Sequence, residues 1–294
     1  MKLLFILNPV AGPDDKEPVQ PQIADYCESN HHSCHIMETQ GDGNDAQRIR
    51  ETIDQHQPEL VFACGGDGTV NMVGQTLMGR DIPLGVLPLG SANGLATELG
   101  LPYNVRECID VLVRGKTIHM DPLLINQSHY SFHLADIGYN ARLIQQFEEM
   151  DQRGKIGYAK GFLRVIKDRP IAKVRYQEEG KWKEKKVVMA VFANAKKYGT
   201  GAIINPDGKL DDGHFEVILF RPWPRWYFIY LGLLSYLGRI KRSAYVKVLS
   251  QKKIHITTDA PLDMQIDGEP MGSTREVTVE ICPEKVQLKV PVSF

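Results

Sequence analysis

The strongest constraint on the fold of this chain is an apolar run that ends in a cluster of glycines. Residues 60–64 have the composition of a buried strand and lead into Gly65-Gly66-Asp67-Gly68-Thr69, after which apolar residues recur at helical spacing. Glycines at such a junction let backbone N–H groups approach a phosphate closely, and the helix N-terminus contributes partial positive charge. The sequence therefore predicts an α/β unit with a phosphate site at the turn between strand and helix.

The same alternation of strands and helices extends over the first 117 residues. Strand-like runs lie at 3–7, 33–37, 60–64 and 83–87, and helical spacing recurs at 23–28, 46–53, 70–77, 91–99 and 104–115. The last of these helices begins with Asn104 and Glu107, which form a capping-box-like pair. This order predicts an α/β domain with a parallel sheet and helices on both of its faces.

Short β-type runs separated by turn signals dominate the chain after residue 117. They lie at 118–125, 130–134, 172–177, 187–193, 215–220, 244–249, 254–257, 276–281 and 286–290, with helical interludes at 141–150 and 158–167. We therefore expect a second, mainly β domain over 118–287, built as a sandwich or a barrel.

Composition excludes several classes of function. The 35 basic and 36 acidic residues give a net charge of −1, so no global field draws the protein to nucleic acid. The five cysteines lack zinc spacing and fit a reducing, cytoplasmic environment. The first apolar run is too short for a signal peptide, and the stretch 226–238 is shorter than the roughly 20 residues that span a bilayer.

Further polar and glycine-rich segments follow the other strands of the predicted sheet. They are Asn8-Pro9-Val10-Ala11-Gly12 after the first strand, Thr39 after the second, and Gly90-Ser91-Ala92-Asn93-Gly94 after the fourth. Ligands of open α/β sheets bind at the carboxyl ends of the strands, so these segments can converge on one nucleotide. Asp67 lies among the glycines, where a carboxylate beside a polyphosphate is favourable when a divalent cation lies between them.

These motifs, in this order and spacing, resemble the diacylglycerol kinase catalytic-domain family. The likeness is to its bacterial soluble YegS/BmrU-type lipid kinases in particular, with sphingosine kinases as relatives. It rests on Asn-Pro-Val-Ala-Gly at 8–12, Gly-Gly-Asp-Gly-Thr-Val-Asn at 65–71 and Pro-Leu-Gly-Ser-Ala-Asn at 88–93. It continues through Ile-Gly-Tyr-Asn-Ala at 137–141, the stretches 198–201 and 209–213, and Asp-Gly-Glu at 267–269, and so covers nearly the whole chain.

The resemblance implies a fold, two cofactors and a set of site residues. The fold is an NAD kinase-like α/β domain at 1–117, to which 288–294 returns, and a β-sandwich domain at 118–287. Glu269 is implied as the general base that takes the proton of the lipid hydroxyl, and Asp67 as part of the Mg²⁺ network. The residues implied to line ATP are Asn8, Pro9, Val10, Ala11, Gly12, Thr39, Gly65, Gly66, Asp67, Gly68, Thr69, Val70, Asn71, Met72, Ser91 and Asn93. Lys209, Asp212 and His214 match the family's second, metal-linked loop.

Two positions depart from the usual family pattern. Met72 stands where the family commonly has Glu, and Gly94 stands where it commonly has Asp. These changes remove two candidate acids and place the identity of the lipid in doubt. Asp121 is a candidate source of part of the missing negative charge.

We therefore predict an ATP- and Mg²⁺-dependent kinase that phosphorylates a hydroxyl of a diacylglycerol-like or related lipid. An NAD kinase-type enzyme, which also carries Gly-Gly-Asp-Gly, and a non-catalytic nucleotide- or lipid-binding regulator are the alternatives. The segment 221–242 is rich in Trp, Tyr and basic residues, which suits a peripheral contact at the inner face of a membrane as well as a core-packed helix. The sequence leaves oligomerisation open.

Overall fold

A computed structural model describes residues 1–12, 18–91, 93–142, 169–224 and 226–294 of the chain. The predicted helix at 158–167 and most of the one at 141–150 lie outside these ranges, as do Ala92 and Arg225. The chain divides into two compact units, one formed by Met1–Pro122 with Pro283–Phe294 and the other by Leu123–Cys282.

The first unit is an α/β unit. Its strands are β1 (Lys2–Leu7), β2 (Ser33–Glu38), β3 (Leu60–Gly65), β4 (Leu84–Pro88), β5 (Lys116–Met120) and β16 (Val286–Val290). Its helices are α1 (Val19–Ser29), α2 (Asp45–His56), α3 (Asp67–Leu77), α4 (Gly94–Leu99) and α5 (Val105–Val113). The predicted cap of α5 is present, because the Asn104 side chain accepts a hydrogen bond from the Glu107 backbone N–H at 3.0 Å.

The six strands of the first unit form one sheet in the order β2-β1-β3-β4-β16-β5. All neighbours are parallel except β16 and β5. The chain leaves β1 towards one edge of the sheet and leaves β3 towards the other, and right-handed crossovers then place α1 and α3 on opposite faces. The central strands are continuous apolar runs, as burial on both faces requires, and Phe5 of β1 stacks on Phe62 of β3 at 4.7 Å.

The C-terminal return differs in extent from the expectation of 288–294. The returning segment is Pro283–Phe294, and its strand β16 pairs along its whole length with β5, from Val286 opposite Met120 to Val290 opposite Lys116. Residues 116–122 therefore belong to the first unit, and the predicted run 118–125 is two strands in different sheets. Local periodicity identifies a strand but not the sheet that it joins.

Helix α4 begins later than the predicted 91–99. Asn93 has a left-handed backbone (φ 48°), and its side chain bonds the Gly90 backbone at both ends, accepting from the N–H at 2.9 Å and donating to the carbonyl at 2.6 Å. This closed loop holds the chain out of helical geometry until Gly94.

The second unit is mainly β. Its strands are β6 (Leu123–Ile125), β7 (His129–Ser131), β8 (Leu134–Gly138), β9 (Ala172–Glu178), β10 (Lys181–Val187), β11 (Met189–Ala193), β12 (Phe215–Phe220), β13 (Val246–Gln251), β14 (Lys253–Ile266) and β15 (Glu269–Ile281). The helix α6 (Tyr227–Tyr236) and a 3₁₀ turn at Ile240–Arg242 lie between β12 and β13.

The long strand β14 organises this sandwich. Its first half pairs with β9 and its second half with β8, and the register against β15 shifts between Thr257 and Leu262. One edge of β14 thus pairs with two different strands in succession. Side chains from β6, β8, β9, β11, β12, β14 and β15 fill one buried core. The predicted strands 254–257 and 276–281 are the far ends of a longer hairpin.

The aromatic segment before α6 is partly in the core. Trp223 is 7% exposed and packs edge-on against Tyr139 and Phe220, with ring centroids 6.5 and 6.3 Å away. Trp223 is therefore not available to a membrane, and of the two alternatives for the segment 221–242 the core-packed one holds at this position. Within the described ranges, no helix is long and apolar enough to cross a membrane.

Candidate functional site

The predicted nucleotide loops of the first unit lie at the carboxyl edge of its sheet, where the strand order reverses. Strands β1 and β3 are neighbours, and the chain leaves them in opposite directions. A crevice forms at such a switch point in open α/β sheets and is their usual ligand site. Asn8 follows β1, Gly66 follows β3, and Thr39 follows β2 with its N–H bonded to the Leu7 carbonyl at 2.9 Å.

Asn8 joins the first two loops at this crevice. Its backbone N–H bonds the Cys64 carbonyl of β3 at 2.9 Å, and its side-chain amide donates to Thr69 Oγ1 at 3.3 Å. Its side-chain oxygen accepts from the Val10 N–H at 3.2 Å. The side chain of Asn8 therefore holds the 8–12 turn against the first turn of α3, and Val10 at the tip is 86% exposed.

The glycine loop and the loop after β4 meet backbone to backbone. A Cβ atom on Gly90 would lie 2.5 Å from Gly66 Cα and 3.0 Å from Gly66 N, so only glycine fits at position 90. Leu89 N–H also bonds the Gly65 carbonyl at 3.1 Å. Two glycine backbones in contact leave no side chains between the loops, which is the surface that a phosphate needs to approach main-chain N–H groups.

Asp67 connects the same two loops through its side chain. Its carboxylate accepts hydrogen bonds from the backbone N–H groups of Gly94 at 2.7 Å and Leu95 at 3.2 Å, at the start of α4. Carboxylates stabilise helix N-termini in this way. Gly94 thus supplies to Asp67 a backbone donor rather than the acid that is common at this position in the family.

The remaining predicted nucleotide residues differ in what they present. Pro9, Gly68 and Ser91 are exposed, and Ala11, Gly12, Asn71 and Met72 are half-buried. Thr39, Thr69, Val70 and Asn93 are buried, with Val70 only 2% exposed. The side chain of Val70 belongs to the core, and that of Asn93 closes its own loop, so each of these two residues presents only its backbone at the edge of the sheet.

Asp121 is buried, and its charge is balanced. Its carboxylate lies 2.7 Å from Lys285 Nζ, just after β5 and just before β16. Asp121, the candidate replacement for the missing acids, is thus part of an ion pair. This pair lies where the chain leaves the first unit and where it returns to it.

In the second unit, Asp-Gly-Glu forms the tight turn between β14 and β15. Asp267 and Gly268 both have positive φ, 49° and 92°, as a two-residue type I′ hairpin requires, and Glu269 pairs with Ile266 as the first residue of β15. Glu269 is exposed, whereas Asp267 is 6% exposed. The turn therefore presents one acid to solvent and buries the other.

Asp267 organises the loop before β8, a role that the sequence did not reveal. Its carboxylate accepts hydrogen bonds from the Ser131 hydroxyl at 2.6 Å and from the backbone N–H groups of Phe132, His133 and Leu134 at 2.8 to 3.1 Å. An Asp-Gly pair signals the hairpin turn, but nothing local signals that the carboxylate folds inward.

Asp136, in the middle of β8, is a second buried acid that sequence reasoning missed. It is fully buried and accepts hydrogen bonds from Asn140 Nδ2 and Gln265 Nε2, each at 2.6 Å, and from the Tyr198 hydroxyl at 3.3 Å. Burial raises the pKa of Asp136 to about 6, although the three donors lower it. A lone acid in an apolar strand is the signal that could have indicated it.

Two buried asparagine side chains hold the predicted metal-linked loop around Asp212 and the segment before it. Asn205, fully buried, donates to Glu216 Oε2 at 2.6 Å, and Asn194 donates to the Leu210 carbonyl at 3.3 Å. His214 N–H bonds Asp212 Oδ1 at 3.0 Å, and Lys209 and Asp212 are exposed. No group of three or more His, Cys, Asp or Glu side chains in the described ranges is arranged to hold a metal, so this metal assignment stays a prediction.

Two family models match the sequence. The diacylglycerol kinase catalytic domain matches residues 2–125, and the YegS C-terminal NAD kinase beta sandwich-like domain matches residues 134–290. The chain belongs to the diacylglycerol kinase catalytic-domain family, in its YegS-like branch. The boundary between the two matches spans the end of β6 and the start of β8.

Curated relatives extend this family match over the full chain. Proteins named "Probable lipid kinase YegS-like" from Yersinia pestis (strain Pestoides F) and Yersinia pseudotuberculosis (serotype O:1b, strain IP 31758) are each 26% identical to this chain over 295 residues. Each match covers 98% of this chain and 96% of the relative. The predicted membership of the family is confirmed.

Solved structures confirm the predicted fold class. A crystal structure of a diacylglycerol kinase from Bacillus anthracis str. Sterne superposes with a TM-score of 0.74 at 19% identity, covering 99% of this chain and 97% of the other. An NAD kinase from Archaeoglobus fulgidus in complex with ATP gives a TM-score of 0.55 at 12% identity, covering 99% and 94%. At these identities the likeness is one of fold.

Proposed function

We propose that this family member transfers the γ-phosphoryl group of ATP to a hydroxyl of a diacylglycerol-like or related lipid, with Mg²⁺ as cofactor. The observation that carries the proposal is the contact between Gly66 and Gly90, next to the strand-order reversal and beside the N-terminus of α3. The contact keeps side chains away from this helix N-terminus, where main-chain N–H groups and the helix dipole favour a polyphosphate.

Phosphoryl transfer depends mainly on positioning and on charge stabilisation. The first-unit residues suit the positioning part, because Asn8 and Asp67 fix three strand-end loops to one another through the bonds described above. A preformed loop cluster loses little conformational entropy when a nucleotide binds. Asn8, Gly66, Thr39 and Ser91 are the proposed nucleotide contacts.

The residues present fit a Mg²⁺ ion that is held largely by phosphate. Mg²⁺ commonly keeps several waters and takes one or two carboxylates together with substrate phosphates, so a cage of three protein acids is not required. Asp67 is the acid among the predicted nucleotide residues, and the Gly94 and Leu95 N–H groups that donate to its two oxygens fix the carboxylate beside the glycine loop. The ion would neutralise phosphate charge there, with Asp67 as its carboxylate.

Glu269 is the proposed general base. It is exposed at the start of β15, on a hairpin whose turn is fixed by the buried carboxylate of Asp267. A base on a rigid turn keeps its position relative to an acceptor hydroxyl, and a positioned carboxylate commonly contributes about 10² to 10⁴ in rate. Asp267 acts as a positioning residue for it.

The proposal is tested by following label from γ-³²P-ATP into a lipid extract, with wild type, Glu269→Gln and the exposed-acid control Glu179→Gln. We expect labelled lipid from wild type and the control, and a loss of about 10² or more in rate with Glu269→Gln at unchanged thermal stability. Unlabelled lipid in every sample, with ATP binding retained, would instead support a regulator.

An NAD kinase-type activity is the second candidate function, favoured by the Gly-Gly-Asp-Gly loop and by the fold shared with the Archaeoglobus enzyme. The same assay with NAD as acceptor tests it. Labelled NADP from wild type, without labelled lipid, would replace the lipid kinase proposal.

A further inference from the structure

One face of α6 exposes a continuous stripe of large apolar side chains. Ile229 is 82% exposed, Trp226 71%, Tyr236 65% and Leu233 54%, and Tyr230 and Leu237 are also exposed. These positions recur at three- and four-residue intervals, so they share one side of the helix. Single exposed apolar residues are ordinary on protein surfaces, but six on one helix face indicate a surface that binds something.

The opposite face of α6 fixes the helix to the second unit. Leu231 and Leu234 are each 6% exposed, and the Ser235 hydroxyl donates to the Ile203 carbonyl at 3.0 Å. The Tyr227 ring packs against Tyr245, with centroids 4.8 Å apart, and its hydroxyl lies 3.3 Å from Ser243 Oγ. The outer stripe is therefore held in one orientation by the packing of the inner one.

Basic residues follow this helix in the chain. The chain contains no Asp or Glu between Glu216 and Asp259. Arg239, Lys241 and Arg242 follow the helix and are exposed. Lys241 pairs with Asp207, while the ion pairs of the described ranges include neither Arg239 nor Arg242. The helix end thus carries net positive charge.

We propose that the outer face of α6 docks this protein on the surface of an anionic phospholipid bilayer. Aromatic side chains favour the interface between head groups and acyl chains, and nearby Arg and Lys side chains favour anionic lipids. A helix of 10 residues is about 15 Å long and lies in that interface rather than crossing the roughly 30 Å of hydrocarbon.

Charge complementarity favours a bilayer over a second copy of this chain. A two-fold contact through α6 would place the same basic segment on both sides, and that segment has no acid to pair with Arg239 and Arg242 of the other copy. An anionic bilayer offers the same apolar burial together with opposite charge. The use of docking for catalysis rests on the proposed function, whereas the docking itself does not.

The test is co-sedimentation with vesicles of phosphatidylcholine alone or with phosphatidylserine, which is anionic but has no hydroxyl that could act as acceptor, and without ATP. We expect wild type to bind the phosphatidylserine vesicles, and Trp226→Ala/Ile229→Ser/Leu233→Ser to bind at least about tenfold more weakly. Arg239→Gln/Arg242→Gln is expected to lose about tenfold on anionic vesicles at low salt, since each cation near the surface contributes measurably.

The matched control is the variant Tyr103→Ala/Val292→Ser, which substitutes two apolar residues of the first unit that are 67% and 70% exposed. This variant should bind the vesicles as wild type does. Near-ultraviolet circular dichroism confirms that each variant is folded. Failure of wild type to bind, or unchanged binding of the triple variant, would overturn the proposal. So would a wild-type dimer that the triple substitution dissociates. Because the vesicles hold no substrate, an inactive kinase would leave this result interpretable.

Discussion

Asp67, Asp136 and Asp267 all direct their carboxylates to donors within their own unit, whereas Glu269 is exposed on a turn. Asp67 and Asp267 accept hydrogen bonds from backbone N–H groups and so fix the conformation of the loops around them. Asp136 accepts from side chains in a fully buried site, where ionisation is costly. The same residue type thus serves as a loop anchor in two places and as a buried titrating group in a third.

Asp136 makes stability depend on pH. Its pKa is about 6 in the folded protein and 3.8 by reference, so between these values the folded state binds more protons and the free energy of unfolding falls as pH rises. The loss by neutral pH is on the order of 3 kcal/mol. We expect Asp136→Asn to remove this loss. The side-chain amides of Asn140 and Gln265 can rotate by 180° and so provide an acceptor for the new amide group.

Urea unfolding at pH 4.5 and pH 7 measures the effect. Wild type should lose more stability than Asp136→Asn between the two values, and the exposed-acid variant Asp211→Asn should behave as wild type. Equal pH dependence in wild type and Asp136→Asn would show that Asp136 is ionised without cost.

At the level of elements, the candidate nucleotide site is the set of turns that follow β1, β3 and β4. These turns lie together because parallel strands end at one edge and because Asn8, Gly90 and Asp67 join them. The parallel strands bring the three turns to one edge of the sheet, and the contacts of Asn8, Gly90 and Asp67 fix the conformation of the turns. The N-terminus of α3 alone would be a generic anion site.

Two glycine substitutions separate the shape of these turns from their function. A Cβ on Gly90 would meet Gly66 Cα at 2.5 Å, whereas a Cβ on Gly66 would meet Gly90 Cα at 3.5 Å, which is ordinary contact. We expect Gly90→Ala to lower the melting temperature and abolish nucleotide binding. Gly66→Ala should keep the melting temperature and weaken ATP binding by about tenfold or more, because its methyl group blocks the close approach.

Differential scanning fluorimetry with and without ATP measures both effects, and Gly232→Ala, in open space on α6, is the control. A normal melting temperature for Gly90→Ala would mean that the two loops separate without cost. Unchanged ATP affinity of Gly66→Ala would place the phosphates elsewhere.

For the whole molecule, the first unit depends on the last residues of the chain. Strand β16 lies between β4 and β5, and Val286, Leu288 and Val290 are fully buried. Burial of each such side chain contributes about 1.5–3 kcal/mol, and a domain is stable by only about 5–15 kcal/mol. The first unit therefore contains a strand that is synthesised after the whole second unit.

A chain that ends at residue 282 should consequently lose the fold of its first unit. We expect hydrogen exchange to show loss of protection in β4 and β5, with protection retained in β8, β11 and β12. A chain that ends at residue 290, which lacks only the exposed or half-buried residues 291–294, is the control and should keep both. Retained protection of β5 in the shorter chain would show that β16 is dispensable.

The sequence by itself determined the class of the first unit, the order of its elements, the glycine loop and the family. Each of these is written in local periodicity, in turn residues or in motifs of a few positions. Local signals also located the Asp267-Gly268 turn and the cap at Asn104, because both depend on residues no more than three positions apart.

Only the tertiary structure decided which sheet each strand joins, which acids are buried and which face of α6 is exposed. Residues 118–125 read as one strand but belong to two sheets, and Trp223 is buried where Trp226 is exposed. The physical reason is that pairing and burial depend on residues distant in the chain: β5 meets β16, and Asp267 meets residues 131–134. The local sequence indicates which secondary structure a segment can form. The distant segments that pack against it decide which of its side chains are buried and which are exposed.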